Sequence, residues 1–299
     1  MFLKIFLITN ILIYMKLSIT KNQAWSLILA IKSIYDIKNN KKTQTFYRKV
    51  SNKKLSLVYD FNKHRIIKRN FNTNDEVDEL FDIYLPIVLN KKKTPYFIGH
   101  LAQTLDGFIA TTTGESKYIS DKKNLEHIHR LRAIADIIVI GSQTILLDNP
   151  KLTTRLVEGT NPIKVILDPN NKLINKAHKY KCMNNKSILL CSKPGNDKVN
   201  FYTLSMKNNQ FVSEDLLNIF KKLNKKIVYV EGGGKTISFF YKNKFLDRMH
   251  LCVSPSILGK GKSSFIIDKR STINFFRNLN VKFSKMGSDM LCDIKLSIF

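Results

Sequence analysis

The sequence predicts an α/β fold: a mixed sheet with helices on both faces, preceded by a small α+β N-terminal unit. Three observations carry that reading. Short apolar runs recur at Ile137–Ile140, Ile163–Leu167, Ser187–Cys191 and Ile227–Val230, as expected of strands covered on both faces. Segments of helical spacing alternate with them. The chain then closes on Met249–Pro255, Val281–Lys285 and Met290–Ser297, which read as strands of an antiparallel end.

Residues 1–95 are assigned to the N-terminal unit and 96–299 to the second. Phe2–Tyr14 is an apolar run broken by Lys4 and Asn10. It is short for a membrane span, and no small-x-small cleavage site follows before Lys16. Residues 1–14 therefore read as lying ahead of a true start at Met15, or as a short disordered tail, which implies a cytoplasmic protein without a membrane partner. Trp25, Leu27, Ile28, Ile31 and Ile34 lie on one helical stripe. Leu55–Tyr59 and Arg65–Lys68 read as strands joined by a polar turn. Asp75–Tyr84 reads as a helix with acid near its N-terminus. Pro86, the Lys91–Lys93 run and Pro95 mark a boundary. No chemistry is legible in this unit, which reads as a structural or docking module.

In the second unit, Tyr96–Gln103 is a strand, followed by a tight Asp106-Gly107 turn and a strand over Gly107–Thr112. Ser120 or Asp121 caps a helix running to about Ile134, with Leu125, Ile128, Leu131 and Ala135 on its buried side. Gly141 and Ser142 open a short helix, and another runs from Gly234 to about Phe245.

Of the 299 residues, 43% are hydrophobic, enough for a real core, while the formal charge is +27. The excess is mostly lysine, scattered and mixed with asparagine and isoleucine, as at Asn39–Lys42 and Asn90–Lys93. No arginine-rich arm or aromatic nucleic-acid pattern accompanies it, so it reads as dispersed solvated charge, with no nucleic acid as partner. Such a surface would still attract a phosphorylated small molecule. The four cysteines form no C-x-x-C and the six histidines no H-E-x-x-H. Reduced thiols and no metal are expected.

Two glycine-rich turns follow covered strands: Gly141-Ser142-Gln143-Thr144 and Glu231-Gly232-Gly233-Gly234. Glycine admits close approach of backbone amides to a phosphate, and a helix N-terminus adds a favourable dipole. Each turn alone is a weak signal; two at carboxyl ends of one sheet reinforce each other, because ligands bind in that crevice. His129 and Arg132 share a helix face at i, i+3. Arg155 follows the Asp148-Asn149-Pro150 turn, and arginine suits bidentate phosphate binding. Glu231 stands at a strand end beside the glycines. His127 reads as a solvated neighbour of His129.

Taken in order, LAQTLDGFIA, TGESKYIS, HRLRAIADIIVIGSQTILLDNPKLTTR and VEGGGKTISFF, with LCVSPSILGKG behind them, resemble the C-terminal reductase domain of the RibD family, from about Tyr96 to Gly261. The resemblance implies a dihydrofolate-reductase-like fold and an NADPH-dependent reduction of 5-amino-6-(5-phosphoribosylamino)uracil, in riboflavin biosynthesis, which opens the ribosyl group into a ribityl chain. It assigns Ala102, Tyr118, Thr144 and Asp148 to the cofactor, with the loop Gly233–Phe239, including Gly234, Lys235 and Thr236, at its phosphates. It assigns Ser116, Arg132, Leu152, Arg155 and Glu231 to the substrate. A homodimer is common in this fold family. The family's zinc-deaminase ligands are absent from the N-terminal unit, Tyr118 replaces a tryptophan, and Phe108 stands where a basic residue is usual. Two other readings accompany the first: reduction of a different pteridine or pyrimidine, and a catalytically silent nucleotide-binding paralogue.

Overall fold

The structure is a computed structural model. It describes residues 17–35, 41–50, 53–93, 95–116, 119–195, 199–267 and 279–296. The chain divides into two compact units, one up to Lys91 and one from Lys92.

The first unit comprises β1 (Leu17–Ser18), α1 (Lys21–Ile34), β2 (Thr43–Val50), β3 (Lys53–Asp60), β4 (Arg65–Arg69), β5 (Phe71–Asn72) and α2 (Asp75–Val88). It is the small α+β unit expected. β2, β3 and β4 form an antiparallel meander, and β1 pairs with β5 in parallel. A capping box between Thr20 and Gln23 starts α1, which buries Trp25, Leu27, Ile28 and Ile31. Trp25 meets Tyr84 of α2 edge-on at 5.2 Å. Pro86 does not end α2, as the sequence suggested; it lies in the last turn. There it removes one hydrogen bond, while Ile87 and Val88 beyond it are buried and hold the helix. β2 is illegible in the sequence because Phe46 is its one buried hydrophobic residue among the described side chains.

The second unit runs β6 (Tyr96–Thr104), β7 (Phe108–Ala110), α3 (Lys122–Ile134), β8 (Ile137–Gly141), α4 (Ser142–Asp148), β9 (Ile163–Asp168), β10 (Ile188–Cys191), β11 (Asn200–Thr203), β12 (Met206–Lys207), β13 (Gln210–Phe211), α5 (Ser213–Lys222), β14 (Ile227–Glu231), α6 (Gly234–Lys242), β15 (Arg248–Ser254), β16 (Lys262–Ser263), β17 (Asn280–Met286) and β18 (Asp289–Lys295). Nine strands form one sheet in the order β11-β10-β9-β8-β14-β6-β15-β18-β17. The first seven in that order are parallel, and β18 is antiparallel to both its neighbours. This is the mixed sheet with an antiparallel end that the sequence predicted.

Helices cover both faces. On one, Phe97, Val139, Val165 and Val230 pack with Phe220 of α5 and Phe240 of α6, and Phe97 meets Phe220 edge-on at 5.3 Å. The other face lies under α3, and here the expectation held only in part: Leu131 and Ala135 are buried, and Ile128 is half-buried. Asp121 caps α3 as expected, accepting from the Lys123 amide at 2.8 Å. Leu125, however, is exposed, and the helix buries Asn124, His127, His129 and Arg132 alongside Leu131 and Ile134.

The sheet beneath is polar to match. Register aligns Glu231 of β14 with His100 of β6, His100 with His250 of β15, and His250 with Asp293 of β18. Paired residues share a sheet face, so four polar side chains lie in a row across adjacent strands. The Asn124 amide donates to Ser120 Oγ at 2.9 Å, so its Oδ1 accepts from His100 Nε2, also at 2.9 Å. His127 and His250 share a 2.9 Å hydrogen bond, and Asp293 takes the Arg248 guanidinium. His127, read from the sequence as solvated, is fully buried.

Burial pushes all three imidazoles below their ordinary value, at His250 against the opposing pull of the Asp293 carboxylate; neighbouring positive charge adds to the effect at His100 and His127, and His100 falls to about 3. Below pH about 6.5 the unfolded chain binds protons that the folded chain refuses, so stability falls with pH by up to about 1.4 kcal/mol per unit for each histidine. The Asp293 carboxylate, held low despite burial by His250 and Arg248, acts only at more acidic pH. Urea midpoints should therefore drop steadily from pH 7 to pH 5, and His100→Gln should flatten the slope. A midpoint constant over that window would contradict the buried neutral cluster.

Candidate functional site

β14 comes late in the sequence yet lies between β8 and β6. The chain order reverses there, which opens a crevice at the carboxyl ends of the strands. β8 ends at Gly141 and runs directly into α4; β14 ends at Glu231 and leads through the glycines into α6.

The glycines do different jobs. A Cβ on Gly141 would stand 2.8 Å from Thr236 Oγ1, and one on Gly232 would stand 2.8 Å from Thr236 Cβ. Both residues let the first turn of α6 lie against the β8–α4 turn, so the two glycine turns are one packed assembly. Gly234 is equally constrained: its Cβ would meet the Ser263 and Ser264 carbonyl oxygens at 2.6 and 2.5 Å. Gly233, the N-cap of α6, has open space around it: a Cβ there would meet nothing within 4 Å. By helix geometry the first amides of α6 lack intrahelical acceptors, and Gly233 leaves the approach to them clear. Lys235 is exposed in the same turn, whereas Thr236 is half-buried.

The segment over Gly234 is tied to the Asp106-Gly107 turn. Ser264 donates its amide to the Gly107 carbonyl at 3.0 Å, and β16 pairs with β7. Asp106 accepts the Leu258 and Gly259 amides at 3.1 and 2.6 Å. The turn read as a simple hairpin is thus also the anchor of the 256–264 loop. Ala102, half-buried, stands near the carboxyl end of β6.

Two of the expected substrate residues are paired with each other. Arg132 of α3, 6% exposed, donates Nε and Nη2 to the two carboxylate oxygens of Glu231 at 2.8 and 2.5 Å. Its Nη1 donates to the Thr153 carbonyl at 3.1 Å. Burial works against the guanidinium charge, but Glu231 more than offsets it, and the Arg132 pKa is raised. Each of the three guanidinium nitrogens thus donates one hydrogen bond within the protein, which fixes the orientation of the Arg132 side chain.

The loop after α4 continues from there. Asn149, at φ 40°, ends α4 in the left-handed region. Leu152 also has positive φ, 52°, with its side chain fully buried. Such a backbone is unusual for leucine and persists only where packing over-determines it. The Arg155 and Leu156 amides donate to His129 Nδ1 at 3.0 and 3.4 Å, while the Arg155 side chain is exposed. Ser116 and Asp148 are exposed and Thr144 is half-buried; Thr144 and Asp148 lie one turn apart on α4. Tyr118 lies outside the described residues. Among the described residues no group of three or more histidine, cysteine or acidic side chains could hold a metal ion, the four cysteines are buried and free, and no helix is long and apolar enough to cross a membrane.

The RibD C-terminal domain profile matches residues 95–292. The chain belongs to the RibD C-terminal domain family. The riboflavin biosynthesis protein RibD of Aquifex aeolicus is 32% identical over 230 residues, covering 74% of this chain and 63% of that protein. The 2,5-diamino-6-ribosylamino-4(3H)-pyrimidinone 5′-phosphate reductase of Methanothermobacter thermautotrophicus is 27% identical over 185 residues, 58% of this chain and 84% of that protein. Among solved structures, the diaminohydroxyphosphoribosylaminopyrimidine deaminase/5-amino-6-(5-phosphoribosylamino)uracil reductase of Thermotoga maritima superposes with a TM-score of 0.59 at 28% identity, covering 76% of this chain and 64% of that one. The chain thus spans less than two thirds of these RibD relatives. The family match leaves the N-terminal unit almost wholly outside.

Sequence reasoning missed the residues that shape the 152–161 loop of this RibD C-terminal domain: the His129 acceptor, and Asn161, whose Oδ1 takes the Thr154 amide at 2.7 Å. The i, i+3 pairing of His129 with Arg132 was the available signal, but it says nothing of which backbone a side chain will reach. The glycine geometry predicts a split. Gly234→Ala should lower the melting temperature by several degrees, because backbone must shift, and Gly233→Ala should change it by about a degree or less. Thermal denaturation of the two variants, read side by side, checks this; equal losses would contradict the open position of Gly233.

Proposed function

We propose that this chain is an NADPH-dependent reductase of 5-amino-6-(5-phosphoribosylamino)uracil, converting its ribosyl group to ribityl. The observation that supports this most directly is the convergence, at the switch point of a RibD C-terminal sheet, of an unobstructed glycine N-cap at Gly233 with the Arg132–Glu231 pair of α3 and β14. The names of its relatives in Aquifex, Methanothermobacter and Thermotoga point the same way.

The residues fit a dinucleotide. The clear approach over Gly233 suits a phosphate against the first turn of α6, and Lys235 adds positive charge there. Gly234 and Thr236 build the turn rather than line its open side. Ala102, Thr144, Asp148 and Tyr118 are the proposed partners of the remainder of the cofactor, whose bound form would supply the hydride. C1′ of the ribose would gain that hydride, and the ring oxygen released from it would gain a proton.

The chain's own part is positioning and electrostatics. Arg155, exposed on a loop whose backbone is fixed, is the cation available to the substrate phosphate. Glu231, oriented by Arg132, keeps spare carboxylate lone pairs for substrate hydroxyl groups. Ser116 and the Leu152 backbone complete the substrate side.

NADPH oxidation on adding the deaminated pyrimidine ribotide tests the proposal directly. Arg155→Ala should raise the substrate KM about tenfold or more, with the NADPH KM changed less than about twofold, the loss of a charge-assisted contact of roughly 1.5–3 kcal/mol. Gly233→Val should do the reverse. Tight NADPH binding without turnover of that ribotide would move the substrate to another heterocycle, and absence of nicotinamide binding by calorimetry would overturn the reductase reading.

A further inference from the structure

His129 is buried, yet it is used by backbone rather than by another side chain. Its Nδ1 accepts the Arg155 amide at 3.0 Å and the Leu156 amide at 3.4 Å. An acceptor at Nδ1 fixes the neutral tautomer with the proton on Nε2. Nε2 has no hydrogen-bond partner among the described residues, so the placement of the ring is explained by Nδ1 alone.

Two further groups on α3 hold the same loop. Arg132, three residues on, donates to the Thr153 carbonyl at 3.1 Å. Ala133, four residues on, is the surface against which Gly159 packs: a Cβ on Gly159 would fall 2.5 Å from Ala133 Cβ, and its φ is +144°. The loop also closes on itself, through the Thr154 amide to Asn161 Oδ1 at 2.7 Å and Thr154 Oγ1 to the Thr160 carbonyl at 3.3 Å. The helix therefore grips a carbonyl at 153, amides at 155 and 156, and a glycine at 159, and leaves the Arg155 side chain exposed between them.

We infer that His129 is a positioning residue: its unprotonated Nδ1 fixes the 155–156 backbone and thereby aims Arg155 at the phosphate of the bound substrate. The inference rests on the reductase reading for the identity of that phosphate, but not for the grip itself. The surroundings keep the acceptor available. Burial first, then the positive charges of Arg132 on the same helix and Arg155 on the loop, push the imidazole down to about 4. Glu231 of β14 faces this group through Arg132. At neutral pH the ring is thus an acceptor throughout.

The test uses the full chain with His129→Ala and His129→Asn, the second offering a side-chain carbonyl close to where Nδ1 stands. Hydrogen exchange of the Arg155 and Leu156 amides reads the grip with no ligand present. Both amides should be protected in the parent protein and in His129→Asn, and should exchange at least tenfold faster in His129→Ala. Steady-state kinetics then read the aim: His129→Ala should raise the KM for the phosphorylated pyrimidine about tenfold, leave the NADPH KM within twofold, and be largely rescued in His129→Asn. Unchanged exchange in His129→Ala would overturn the inference. So would faster exchange with an equal rise in both KM values, or faster exchange with no change in either. Failure of the reductase reading looks different: no turnover in the parent protein, with the exchange pattern still deciding the grip.

Discussion

Burying the Arg132 guanidinium constrains everything around the crevice. An arginine cannot lose its charge, and an unpaired one beneath a helix would cost several kcal/mol. Glu231 is the partner, and it reaches Arg132 because β14 is inserted between β8 and β6 with its last residue opposite His100. That one pair sets the height of α3 over the sheet and the position of the strand end from which the glycine turn departs. Through the Thr153 carbonyl it also sets the start of the loop carrying Arg155.

The same face of the sheet shows why α3 tolerates so polar an underside. Glu231, His100, His250 and Asp293 occupy matched positions on four neighbouring strands, and α3 answers with Arg132, Asn124 and His127. The contacts come in pairs, two ionic and two between neutral groups. Hydrogen-bonded buried groups add little net stability, but each becomes expensive once its partner is lost. Such a layer fixes register and helix position more sharply than apolar packing would. The opposite face, built on Phe97, Phe220 and Phe240, supplies the bulk of the apolar burial.

Much of the sheet was legible from residues alone because covered parallel strands are short apolar runs. Ile137–Ile140, Ile163–Leu167 and Ile227–Val230 lie within β8, β9 and β14. Elements with few buried residues were not. β2 buries Phe46 and α5 buries Leu216 and Phe220, too little to stand out against a polar, lysine-rich background. α3 was found, and its Leu131 and Ala135 are buried as read, but its buried polar residues were missed, because hydrophobic periodicity assumes an apolar partner surface, and Leu125 of that stripe is in solvent. The glycines illustrate the other limit. GGG announces a turn, but which glycine stands open and which packs against Ser263 and Ser264 depends on a loop that arrives some 30 residues later and is held by Asp106.

The two arginines of the crevice show how one residue type divides into two roles. Each guanidinium nitrogen of Arg132 donates to Glu231 or Thr153, and removing it would strand a half-buried carboxylate as well as loosen a loop. Its loss could not be read as loss of a substrate contact. Arg155 has its backbone fixed by His129 and its side chain in solvent, so its charge is available without disturbing the core. A site of this kind gains precision by placing one cation inside the scaffold and the other at its rim. On the proposed reading the rim cation would meet a ligand phosphate from a backbone already ordered, which would lower the conformational entropy that binding otherwise has to offset.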